Sequence, residues 1–270
     1  MSNTIAHLAV AKELWAKKPD LVQNKRAYYL GILAPDTISA KPSAVKEDKK
    51  RVHLRENIRD AEWLEPDQMA IFMDRVREFI QKYISNEFDL AQRDFNIGYL
   101  VHLLTDKCNH GTIRQKLLKK ANERGLVSSD REFYHMCVND LEALDAYLLE
   151  SYPEIDELFA ELRSEAADFG LPGWIEKDYI NGSMWWWTNK YLPGIKEREI
   201  LYINTEDIEE FIVNVVINGN DAMTDARKAF IKKYLKSPNG KSASQNIYDD
   251  MVDVIINGRY NITSANSTDN

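Results

Sequence analysis

The sequence predicts an all-α protein, built as a single multi-helix domain. Three observations carry this. Apolar residues recur at helical spacing through most of the chain, few stretches alternate as strands do, and no internal repeat divides the sequence. At 270 residues and 44% hydrophobic, the chain can bury a sizeable core.

Residues 4 to 18 read as the first helix, with Thr4 able to cap it, Ile5, Leu8, Leu14 and Trp15 on the spacing, and Pro19 beyond its end. A short apolar run follows at residues 25 to 33 and is interrupted at Ala34-Pro35-Asp36, where Pro35 disfavours helix at Ala34. Asp36 there either caps the next segment or is a carboxylate presented by a fixed turn. Residues 37 to 52 look like an exposed loop with a lysine-rich end, a solvated face, leading to His53. Pro66 opens a helix whose buried stripe is Met69, Met73, Val76, Ile80 and Tyr83. A central helix starts near Phe95 and runs to about Ala121. Ser129 and Glu132 have the form of a capping box, Pro153 opens a further helix, and Gly170 closes it. Residues 171 to 195 are the least regular. Trp185, Trp186 and Trp187 cannot share one helix face, so at least one is core and one partly exposed, where they could line a pocket mouth. Thr205 can cap a long segment through Tyr234, with Ile208, Phe211, Ile212, Val215 and Val216 on its core face, and a short helix is expected at residues 246 to 256. The organisation read from this is a helical domain over residues 1–235, then a C-terminal extension over 236–270 with a disordered tail.

The totals limit the function. A formal net charge of −8 argues against stable nucleic-acid binding. Two cysteines, Cys108 and Cys137, cannot form a disulfide framework, and neither a secretory signal nor a membrane-spanning run is visible. These observations lead to the expectation of a cytoplasmic protein.

The chemistry concentrates in residues 96 to 110. His102, Asp106 and His110 are spaced i, i+4, i+8, which puts two imidazoles and a carboxylate on one helix face. Leu100, Leu103 and Leu104 are apolar enough to bury that helix, and ionisable groups on a buried helix need partners. His and Asp are ligand types that suit zinc. The five histidines, His7, His53, His102, His110 and His135, each stand near a carboxylate or at a helical position facing one, and none is left in the polar tail. That distribution argues for one polyhistidine site.

The order His7, Ala34-Pro35-Asp36, His53, His102-x-x-x-Asp106, His110 and Tyr134-His135, with the YYLGILAPD and GYLVHLLTD blocks, resembles the zinc-dependent phospholipase C family, whose all-α scaffold is shared by S1/P1-type nucleases. The resemblance covers residues 5 to about 140. It implies that Asp36, His53, His102 and Asp106 hold one zinc and that Asp106 bridges to a second with His7. It further implies that His110 and His135 hold a third with an acidic residue one turn on. Here the chain departs from the pattern: that position is Asn139, with Asp140 beside it. The family's N-terminal tryptophan ligand is also missing, since the chain opens on Met1 with six residues before His7. Two zinc ions are therefore expected. The implied activity is hydrolysis of a phosphate ester or phospholipid by a metal-activated water, with Asp36 or Asp106 orienting it. Asp60, Glu56 and Asp140 are candidate acceptors for the second ring nitrogens of the histidines.

Three other readings compete. HD-type phosphohydrolases require an adjacent His-Asp pair, which the sequence lacks. A di-iron bundle requires Glu-x-x-His twice, and only Glu132 to His135 supplies it. A metal-stabilised binding module without turnover, or a nuclease or phosphomonoesterase on the same scaffold, remains open.

Overall fold

The computed structural model describes residues 4–60, 62–195, 198–203 and 207. The described chain is all-α. Its helices are α1 (Thr4–Lys17), α2 (Lys25–Leu33), α3 (Lys46–Val52), α4 (Pro66–Ile80), α5 (Leu90–Gly111), α6 (Ile113–Glu123), α7 (Arg131–Ser151), α8 (Glu154–Arg163), α9 (Lys177–Trp186) and α10 (Leu192–Ile195). Among the described residues there is no strand, only an isolated bridge between Leu171 and Ile175. No described helix is long and apolar enough to cross a membrane.

The core is organised around α5. Asp89 caps it, accepting hydrogen bonds from the backbone N–H groups of Ala91 and Gln92. From Asp94 to Thr105 every residue is buried, as expected of a helix surrounded by others. Its closest neighbour is α2, and glycine is the reason. A Cβ on Gly98 would lie 2.0 Å from the Tyr28 carbonyl oxygen, and one on Gly31 would lie 1.9 Å from that of Phe95. The two backbones touch at both points, which only glycine permits. The same contact delivers Asp36 and His102 to one place, because Asp36 follows α2 and His102 lies one turn beyond Gly98.

Several sequence expectations need correction. The central helix is two helices: the chain breaks at Thr112, whose φ and ψ are −122° and −87°, and α6 starts afresh. Pro35 does not stop the helical path at Ala34, which stays right-handed at φ −55° and ψ −46°. Instead Ala34–Ala40 forms a 3₁₀ helix with Pro35 in its first turn, where a missing N–H costs nothing. The lysine-rich end of the expected loop is α3, whose entry is fixed by Asp48 accepting from the Val45 N–H at 3.1 Å. No capping box forms at Ser129: Asp130 is the N-cap residue, and the Glu132 carboxylate pairs with Arg124 at 3.0 Å. Pro153 does precede α8, but that helix ends at Arg163 rather than at Gly170. Trp187 is buried, whereas Trp185 and Trp186 are about half exposed, the mixture their adjacency requires. The segments expected from Thr205 to Tyr234 and at 246 to 256, and the boundary at residue 235, lie outside the described residues.

Candidate metal centre

Five side chains from four elements meet beside the α2–α5 contact. His7 comes from α1, Asp36 from the 3₁₀ turn, His53 from the end of α3, and His102 and Asp106 from α5. His7, His53 and His102 are each no more than 2% exposed. They form two overlapping groups that could hold a metal ion, His7–His102–Asp106 and Asp36–His53–His102, with the ligand atoms of each group all within 4.8 Å of one another. Asp106 ties the groups together: its oxygens lie 3.4 Å from His7 Nε2, 3.7 Å from His53 Nε2 and 4.0 Å from His102 Nε2. Asp36 Oδ1 lies 3.5 Å from His53 Nε2.

Each ligand is placed by its own local structure. The start of α1 is fixed by the buried Asp145 of α7, which accepts from the Ile5 and Ala6 N–H groups at 3.0 and 3.1 Å and from the Tyr191 hydroxyl at 2.8 Å. This sets the height of His7. The Tyr99 hydroxyl donates to the Val52 carbonyl at 2.6 Å and so ties the end of α3 to α5. After His53 the chain turns sharply. The Leu54 N–H bonds the Arg51 carbonyl, the Arg55 N–H bonds the Lys50 carbonyl, and Leu54 takes a left-handed φ of 57°. This is a Schellman turn with leucine where glycine is usual, a conformation that costs about 1 kcal/mol or more.

The protonation of two histidines follows from their neighbours. His102 Nδ1 lies 2.8 Å from the Ile32 carbonyl oxygen, and His53 Nδ1 lies 2.8 Å from that of Lys49. A carbonyl only accepts, so both Nδ1 atoms carry the proton. Burial pushes both imidazoles toward the neutral form, His102 most strongly. Both Nε2 atoms therefore present lone pairs, and those two nitrogens are 3.2 Å apart. Burial opposes the charge on Asp36 and Asp106. Lys49 nevertheless holds Asp36, and the hydrogen bond from His7 holds Asp106, well below the usual carboxylate range. Two neutral imidazoles with converging lone pairs, flanked by two carboxylates, make a donor set for a cation. The backbone carbonyls behind His53 and His102 are the outer partners that orient such ligands, in the place for which Asp60, Glu56 and Asp140 were candidates.

The remaining expected ligands are not brought to this cluster. His110 lies one turn beyond Asp106, its ring 4.1 Å from that of Trp63. His135 is on the exposed face of α7, where the Arg131 Nε–H donates to its Nε2 at 3.3 Å. Asp140 is fully buried and engaged by the backbone N–H groups of Leu201, Tyr202 and Ile203 at 3.1, 2.7 and 2.7 Å. Phe133, Met136, Cys137 and Asp140 all belong to the buried face of α7, which points His135 the other way. Asn139 bonds the Glu199 carbonyl at 3.0 Å.

A cleft of about 530 Å³ opens beside the cluster and shares Asp36 with it, with Lys49 alongside. Lys46, Lys50, Arg55 and Arg114 line its walls together with His110, Tyr134 and Trp186. These basic residues are the functional candidates missed in the sequence. The lysines stand in a run that reads as a solvated face, yet only 14% of the Lys50 side chain is exposed, and Lys49 Nζ lies 3.1 Å from Asp36 Oδ1. The signal was positional: Lys46, Lys49, Lys50 and His53 share one side of a helix by their spacing.

The fold and the site together define a class, an all-α protein with a buried His/Asp group able to hold a metal ion at the edge of a basic cleft. No family model matches the chain, and comparison with curated proteins and with solved structures gives no significant match.

Proposed function

We propose that the protein is a zinc-dependent hydrolase of phosphate esters, of the phospholipase C type. The observation that carries the reading is the convergence of the His53 and His102 lone pairs between Asp36 and Asp106 next to a cationic cleft. His53, His102, Asp36 and Asp106, with His7, would hold the metal. When bound, zinc supplies a Lewis acid for phosphoryl oxygens and lowers the pKa of water from about 15.7 to near 7.

The chain's own residues supply the rest. Lys49 is positively charged, its ammonium stabilised by Asp36, and it faces the cleft beside the cluster. It can therefore neutralise a phosphoryl oxygen in the ground state and more so as charge builds in the transition state. Asp36 and Asp106 are ionised, so either can accept a hydrogen bond from a nucleophilic water and orient it; held this far below the usual carboxylate range, they are weak bases, and orientation is their larger role. Arg55 and Arg114 give the anionic substrate an approach of matching charge.

The test is the zinc content of the full chain by elemental mass spectrometry, with hydrolysis of bis(para-nitrophenyl) phosphate measured in parallel. Wild type should hold zinc and turn over the diester. Both properties should be lost together in His102→Ala and Asp106→Asn. A wild type that binds no zinc after supplementation, or an Asp106→Asn variant with full activity, would refute the proposal.

A further inference from the structure

We infer that the cleft contains a second anion subsite, formed by Arg55, Arg114, Lys46 and Lys50, so that the preferred ligand carries two phosphate groups. This rests on the phosphate-ester reading and specifies the substrate class within it.

The charge balance comes first. The whole chain carries a formal net charge of −8. The cleft is lined by five basic side chains, Lys46, Lys49, Lys50, Arg55 and Arg114, against two carboxylates, Asp36 and Asp60. Lys50 has one further partner outside the lining, Glu47 at 3.9 Å, which leaves two positive charges unbalanced in a wall of an acidic protein. Moreover, Asp60 is divided between two cations, Arg55 at 3.2 Å and Lys46 at 3.2 Å. Arg114 has no carboxylate partner among the described residues; its guanidinium lies 5.2 Å from the centre of the Phe133 ring. It also stands in the first turn of α6, where the helix dipole disfavours a cation. Such an arrangement has a cost in the free protein that a bound anion relieves.

Preorganisation comes next. Arg55 follows the Schellman turn at Leu54, stacks 4.4 Å from the Trp63 ring centre, and is only 11% exposed in its side chain. A guanidinium held this firmly loses little freedom when it binds an oxyanion. Trp63 also contacts His110, so the wall is continuous with α5. Burial, and then the charges of Arg55 and Arg114, push the His110 imidazole down to about 3, so near neutrality it adds hydrogen-bonding capacity without further charge.

The spacing separates this wall from the metal centre. His110 lies four residues after Asp106, or about 6 Å along the axis of α5. One anionic group can sit at the cluster beside Lys49 while a second, several bonds away, meets Arg55 and Arg114. Half-exposed Trp186 and Tyr134 line the same cleft and offer an apolar surface to the carbon skeleton between them. A zwitterionic headgroup would bring a cation to this wall and be repelled.

The experiment compares inositol monophosphate with inositol bisphosphate by calorimetric titration of the full chain, both stripped of metal with chelator and loaded with zinc. The bisphosphate should bind at least about tenfold tighter in both states, the ratio expected for one added charge-assisted contact. The ratio should fall toward one in Arg114→Gln. Lys46→Gln, at a side chain that is 72% exposed and paired with partly exposed Asp60, should keep the wild-type Tm and lower the ratio in the same direction. Equal binding of the two ligands by wild type, or a ratio that survives in both variants, overturns the inference. Cosedimentation with phosphatidylcholine vesicles, plain and doped with a bisphosphorylated inositol lipid, identifies the source of the ligand. Retention on doped vesicles only assigns a lipid headgroup, and retention on neither alongside the calorimetric preference assigns a soluble bisphosphate; retention on plain vesicles equal to that on doped ones counts against the subsite. Failure of the hydrolase reading looks different: the chain then lacks zinc and turnover yet keeps the bisphosphate preference. Conversely, diester hydrolysis without that preference keeps the hydrolase and refutes the subsite.

Discussion

Replacing Gly98 by alanine adds one methyl group, and its effect should reach the candidate metal centre. The new Cβ would lie 2.0 Å from the Tyr28 carbonyl oxygen and 2.9 Å from the Ile32 nitrogen, whereas ordinary contact begins at 3.4 Å. Both obstacles are backbone, so no side chain can swing aside. Helices α2 and α5 must part by more than an ångström. The His102 Nδ1 to Ile32 carbonyl hydrogen bond, 2.8 Å long, spans the same gap and breaks at that separation. Overpacking costs about 1–3 kcal/mol, and a buried unpaired N–H costs about 1–3 kcal/mol. The helical preference of alanine over glycine returns about 1 kcal/mol. The net is a loss of about 1–5 kcal/mol. At its middle value this lowers Tm by about 6–12 °C for a chain of this size. Loss of the partner that orients a ligand histidine should also weaken metal binding by about 10–100-fold. Calorimetric melting together with a zinc titration reads both. Gly111→Ala serves as the control, since a Cβ there meets nothing within 4 Å, and it should melt no lower than wild type. A Gly98→Ala variant with unchanged Tm and unchanged zinc affinity would refute the claim that the glycine contact positions His102.

Other perturbations give equally definite expectations. Lys49→Met removes the cation 3.1 Å from Asp36, so zinc affinity should rise by about tenfold while affinity for an anionic substrate falls; zinc and inhibitor titrations check the opposite signs. Asp145→Asn leaves an acceptor that cannot satisfy the Ile5 and Ala6 N–H groups and the Tyr191 hydroxyl together, so stability should drop by about 2–4 kcal/mol in urea unfolding, with His7 displaced and zinc binding weakened. His110 has a folded pKa near 3 against 6.5 when unfolded, so between these values the unfolded chain binds the extra proton. Its contribution to stability is complete above pH 6.5 and is lost as pH falls toward 3. His110→Gln should therefore flatten the pH dependence of unfolding in that window, and an unchanged slope would count against the burial of a neutral ring there.

How much of this could be read in the sequence varies by residue. His102 and Asp106 were legible as a pair, because i, i+4 spacing on an apolar helix places them on one face whatever surrounds it. The all-α architecture was legible for a similar reason, since helical periodicity is local and recurs in every long element. Asp36 stands out by its fixed turn and His7 by the placing of the five histidines, but only likeness of order joins them to His102, and nothing local says that a residue after α2 and one on α1 should meet. His135 and Asp140 show the limit of that reasoning. Both carry metal-binding atoms, but the rotation of α7 is set by burying Phe133 and Met136, and it turns one of them outward and commits the other to three backbone N–H groups. The break at Thr112 was missed because helical spacing continues across it.

By itself the sequence determined the all-α class, the apolar stripe that buries α5, and the chemistry available on its face, since these depend on covalent order and on a repeat of a few residues. Only the tertiary structure decided which histidines share a site, that the lysines of α3 border it, and that Gly31 and Gly98 exist to let two backbones touch. Those outcomes depend on distances between segments far apart in the chain, and such distances are fixed by how whole helices pack.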